Sequence, residues 1–72
     1  MYKVDFINIG RNNKNFSKEM EEINYDNLYR AVKPCLLSSD IWFSYSNEEQ
    51  TKGVVHAGFF SVGKFEITKI KE

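Results

Sequence analysis

The stretch Ile41-Trp42-Phe43-Ser44-Tyr45-Ser46 constrains this chain more than any other. Side chains alternate across a strand, so Ile41, Phe43 and Tyr45 share one face while Trp42 stands on the other. A strand in a one-sided antiparallel sheet pairs an apolar face with a polar one. Trp42 therefore calls for a second explanation, and that excess of aromatic surface is the main functional hint in the sequence.

The same period recurs from Tyr2 to Ile9, where Tyr2, Val4 and Phe6 alternate with Lys3 and Asp5 until Gly10 closes the segment, which predicts a first strand. Asn24 as cap, Asp26 in the first turn and Arg30 and Lys33 near the end suit a helix dipole. The buried stripe of that helix is expected to be Tyr25, Leu28, Val32, Cys35 and Leu36. Pro34 stops or kinks it, and Ser38-Ser39-Asp40 is the expected exit loop. Between strand and helix, Asn12, Asn13 and Asn15 favour a loop while Phe16, Met20 and Ile23 keep a helical spacing. The expectation for residues 11–24 is thus a loop leading into a short helix.

Beyond Ile41–Ser46, the runs Val54–Phe60 and Phe65–Ile70 have strand character. The polar residues 47–53 join the first pair, and Ser61-Val62-Gly63-Lys64 joins the second, with Gly63 supplying the positive φ of a tight turn. The expected fold is α+β, in the order β-α-β-β-β, an antiparallel sheet with one principal helix packed on one face, all in a single small domain spanning residues 1–72. A chain of 72 residues buries only about 60% of its unfolded surface. Six Phe, four Tyr and one Trp partly compensate, each burying about 150–250 Å².

These registers place Val4, Phe6, Ile41, Phe43, Tyr45, Val55, Ala57, Phe59, Phe65 and Ile67 under the helix. They place Trp42, Val54, His56, Phe60 and Ile70, with Ile7 and Ile9, on the uncovered face. That face is too apolar for solvent, and large exposed apolar patches on small domains mark partner sites. Trp42, Val54, His56, Phe60 and Ile70 are accordingly the expected partner-binding residues.

Reactive chemistry is sparse. Cys35 and His56 are the obvious nucleophile and base, but the assignment puts one on a buried helix stripe and the other across the sheet. A lone Cys and a lone His do not make a zinc site within one chain. No glycine-rich phosphate loop occurs, and Glu21-Glu22 and Glu48-Glu49 read as solvated surface. No catalytic residue, metal or cofactor is expected.

Ten basic and ten acidic residues cancel, so no overall field draws the protein to nucleic acid or to an anionic membrane. The unpaired cysteine suits a reducing compartment, and the absence of a long apolar run argues against a leader or a membrane span, so the expected location is cytoplasmic. Seven Asn, eight Lys and six Ile match A+T-rich coding, as in low-GC bacteria and their phages. The function expected is that of a non-catalytic interaction protein, a homodimer or the partner of another protein, in the manner of a phage or mobile-element accessory protein. The competing expectation is a single-stranded nucleic-acid-binding module, with Trp42, Phe60 and His56 as stacking platform and Lys52, Lys64, Lys69 and Lys71 around it.

Overall fold

A computed structural model describes residues 1–37 and 39–70. Ser38 of the expected exit loop and Lys71 of the expected basic set lie outside the described residues. Five strands and one short α-helix form a small α+β fold: β1 (Tyr2–Ile9), β2 (Lys14–Met20), α1 (Tyr25–Val32), β3 (Ile41–Tyr45), β4 (Lys52–Ala57) and β5 (Phe60–Lys69). All strand pairs are antiparallel, in the order β2-β1-β5-β4-β3.

The expected order β-α-β-β-β is corrected by β2, which forms where a loop and short helix were expected. The ambiguity is physical, because Phe16 and Met20 are four residues apart, and a spacing of four keeps two side chains on one face in a helix and in a strand alike. Pairing with β1 decides it. Phe16 lies opposite Phe6 with the rings stacked at 5.0 Å, and Met20 lies opposite Tyr2. The turn back is made at Gly10 and Asn13, both in the left-handed region at φ 74° and 49°.

Two bulges re-aim side chains at one end of the sheet. Between the pairs Phe6/Phe16 and Ile9/Lys14, β1 carries one residue more than β2, and Asn8 takes up the excess at φ 54° while its N–H donates to Asn15 Oδ1 at 3.1 Å. Ile9 is thereby turned into the core and fully buried, not outward as strict alternation required. In β5 the pairs Val55/Gly63 and His56/Ser61 leave Val62 as the extra residue. A Cβ at Gly63 would run into Ile9 Cδ1, so this glycine is where Ile9 crosses the strand.

The tight turn between β4 and β5 is Gly58-Phe59, not Ser61–Lys64. Gly58 at φ 61° followed by a residue with negative φ is the pattern of a type II′ hairpin turn. Residues 61–64 are strand, and Phe59, expected inside, is fully exposed on the turn.

Asn24 caps α1 by accepting from the Asn27 N–H at 2.8 Å. Leu28, Val32 and Leu36 join Val4, Phe6, Ile9, Ile41, Val55 and Phe65 in one buried cluster. Two members of the expected stripe differ: Tyr25 is half exposed, its hydroxyl donating to the Ile41 carbonyl at 2.5 Å, and Cys35 sits half-buried on a 3-10 turn, Lys33–Cys35, that Pro34 starts. No described helix is long and apolar enough to cross a membrane.

Candidate binding surfaces

The sheet face opposite α1 is built by cross-strand neighbours. Trp42 pairs with His56 and His56 with Ser61, while Ser44 pairs with Val54, Val54 with Lys64, and Lys64 with Ile7. Trp42 and His56 stack face to face, centroids 3.8 Å apart and planes at 7°. The indole N–H donates to the Gly58 carbonyl at 2.9 Å, and His56 Nε2 is hydrogen-bonded to Ser44 Oγ at 2.8 Å. One imidazole is thus held between an aromatic face and a hydroxyl, and Trp42 keeps 44% of its surface exposed.

Farther along, this face is polar. Lys52 reaches Glu66 at 3.7 Å, Lys3 reaches Asp5 at 3.7 Å, and Ser17 donates to Asp5. The expected continuous apolar patch is therefore corrected to a short one. Trp42, Val54 and His56 are brought together with Ile7, whereas Phe60 and Ile70 are not part of the group. Phe60 lies opposite Ala57 and so on the side of Ile41 and Val55, because the hairpin turn comes earlier than expected; it is 74% exposed at the sheet's end. Ile70 follows the last residue of β5 at the other end, its N–H donating to the Met1 carbonyl at 3.0 Å.

The Ser44–His56 contact escaped the sequence, where Cys35 was the one nucleophile weighed with His56. Its signal is the register: Ser44 stands two residues from Trp42 on the strand facing His56. A serine hydroxyl bonded to an imidazole has the geometry of a nucleophile and base. The ladder hydrogen bonds around it are spent on strand pairing, and among the described residues His56 has no carboxylate bonded to its other nitrogen, so neither an orienting acid nor a set of oxyanion donors accompanies the pair.

A second surface lies along the outer edge of β3. Gly58 N–H donates to the Asp40 carbonyl and Ser46 N–H to the Lys52 carbonyl, both at 2.8 Å, so the hydrogen-bonded pairs of the β3–β4 ladder fall on even-numbered residues of β3. The main-chain groups of Ile41, Phe43 and Tyr45 consequently point away from β4. Tyr25 occupies the Ile41 carbonyl. Those of Phe43 and Tyr45 face outward along an edge that carries no charged residue and no proline.

A third surface is a groove of about 890 Å³ beside the β1–β2 turn, beyond the last regular β1–β5 pair, Ile7/Lys64, where Gly10 N–H still donates to the Val62 carbonyl at 2.9 Å. Arg11, Lys14 and Lys64 line it together with the accessible apolar side chains of Pro34, Leu37 and Val62, while Ile9 and Leu36 lie buried beneath. Cys35 also lies on its wall. Among the described residues no group of three His, Cys, Asp or Glu side chains is placed to hold a metal.

No family model matches the chain, and neither the curated proteins nor the solved structures provide a match.

Proposed function

We propose that the protein is a non-catalytic interaction module that adds a partner strand along the open edge of β3, and that the partner is a second copy of the same chain. The observation that supports this reading is the edge itself. The N–H and C=O groups of Phe43 and Tyr45 are directed to solvent from a strand, IWFSY, that has none of the lysines, prolines or bulges by which edge strands are blunted.

The other edge strand differs in this respect. β2 reads KNFSKEM, with three charged residues in seven, and is guarded against the same pairing. Net charge zero removes the long-range repulsion that would keep copies apart. Trp42 and Tyr45, both partly exposed on β3, would flank the joint on its two faces and exclude water there. Cytoplasmic action, as the lone cysteine suggests, belongs to this same reading.

Amide hydrogen exchange tests it residue by residue. Pairing at β3 should protect the Phe43 and Tyr45 amides increasingly as protein concentration rises, with the ladder amides of Trp42 and Ser44 protected throughout. Exchange at Phe43 and Tyr45 that stays fast at every concentration would overturn self-pairing through this edge.

A further inference from the structure

The groove beside the β1–β2 turn is lined, among the described residues, by cations without acids. Its lining includes three cations, Arg11, Lys14 and Lys64, and no carboxylate. Among the described residues none of the three is engaged in an ion pair or a side-chain hydrogen bond, whereas Lys3 and Lys52 each reach an acid. Asp40, the acid beside Gly58 at this end, is not part of the lining and has its own partner. The amide side chains of Asn8, Asn12 and Asn13 add neutral donors and acceptors.

Shape supports the same conclusion. Asn8, Gly10 and Asn13 all hold positive φ in the β1–β2 turn, and all three line the groove. A Cβ at Gly10 would come within 2.6 Å of the Cys35 carbonyl, so glycine lets the turn and the 3-10 segment meet as the two walls. The volume lies within the range of small-molecule sites, about 300–1,000 Å³. An apolar floor below a cationic rim selects a ligand with an apolar body and a multiply charged anionic end.

We propose that this groove binds a phosphate-bearing organic anion of nucleotide size, its phosphate held by Arg11, Lys14 and Lys64 and its ring against the accessible side chains of Pro34, Leu37 and Val62. Phosphate is favoured over carboxylate because it carries nearly two charges and three acceptor oxygens, enough to engage several cations at once. The same chemistry is offered by a free mononucleotide and by the terminal phosphate of a single strand.

The test is a titration of the folded protein followed by two-dimensional NMR, with adenosine 5′-monophosphate, adenosine and a short 5′-phosphorylated oligothymidylate as separate probes. The monophosphate should shift amides of residues 10–14 and 61–64 while adenosine leaves them in place. Arg11→Gln and Lys64→Gln should each weaken binding by about tenfold, the loss expected of one charge-assisted contact. Lys52→Gln, in its ion pair with Glu66, should leave the affinity unchanged. An oligothymidylate that shifts the same amides at lower concentration assigns the phosphate to a strand, and a monophosphate that binds more tightly assigns it to a free nucleotide. Adenosine binding as well as its phosphate, affinity indifferent to both substitutions, or the absence of groove shifts with every probe at millimolar concentration would each overturn the proposal.

Discussion

At Trp42 one ring has two demands on it. Its flat face is spent on His56 at 3.8 Å and its N–H on the Gly58 carbonyl, yet 44% of the residue remains in solvent. Trp42→Ser removes a half-exposed stack and one hydrogen bond, which together cost about 1–2 kcal/mol. Phe65 is different: fully buried, it meets Phe6, Phe43 and Tyr45 at ring distances of 6.5, 6.0 and 5.9 Å. Phe65→Ala should cost about 3–5 kcal/mol. A core of this size rarely supplies more than about 3–5 kcal/mol in all. Urea titration by circular dichroism should find Trp42→Ser folded and Phe65→Ala largely unfolded; equal destabilisation would place the tryptophan in the core. Gly53 lies opposite Phe65 in the sheet, and a Cβ there would strike that ring and the Ser44 carbonyl. Gly53→Ala should therefore cost about 1–3 kcal/mol by overpacking, read as a lower urea midpoint with an unchanged slope.

Elements with a strong local signal were legible, and those fixed by pairing were not. Asn24, Asp26 and Arg30 marked α1 because cap and dipole act within a turn of the helix. Asn24→Ala should cost about 1 kcal/mol through the lost bond to the Asn27 N–H, and it should do so without changing the sheet amides in an NMR spectrum. β1 and β3 were legible because each alternates strictly over most of its length. β2 was not: its inward positions include Lys18 beside Phe16 and Met20, so only the partner strand reveals its period. The two bulges were equally hidden, since one extra residue inverts every later side chain. Ile9 went inside by that rule, and the candidate patch lost a member. Phe60 left it because Gly58, not Gly63, makes the turn. Trp42, Val54 and His56 survived as a group because β3 and β4 pair in regular register from Ile41 to Tyr45.

For the whole molecule, the net charge of zero does not tell where the charges lie. Counted along the sequence, cations and anions cancel and argue against an anionic ligand, but folding sorts them. Arg11, Lys14 and Lys64 line the groove beside the β1–β2 turn, while Glu21, Glu22 and Glu49 line a second hollow near Tyr2 and Tyr45 in which Lys69 is the one cation among the described residues. Local fields decide binding once the charges are farther apart than a Debye length of about 8 Å at physiological salt. Pairing through β3 would leave the cationic groove free, since no residue of β3 lines it, whereas Tyr45 lines the second hollow. If two chains join there, folding and association are linked, and the thermal midpoint should rise with protein concentration. Tyr45→Pro isolates the edge. The Tyr45 N–H points away from β4, so proline removes an edge donor while leaving the β3–β4 ladder intact, a position at which strands tolerate it. The variant should remain folded, with some loss of stability from the missing contact between the Tyr45 and Phe65 rings, and its midpoint should no longer depend on concentration. Light scattering should report a monomer for the variant and a larger species for the parent. A parent protein that is monomeric, with a midpoint fixed across a hundredfold range of concentration, would leave β3 without a second copy as its partner.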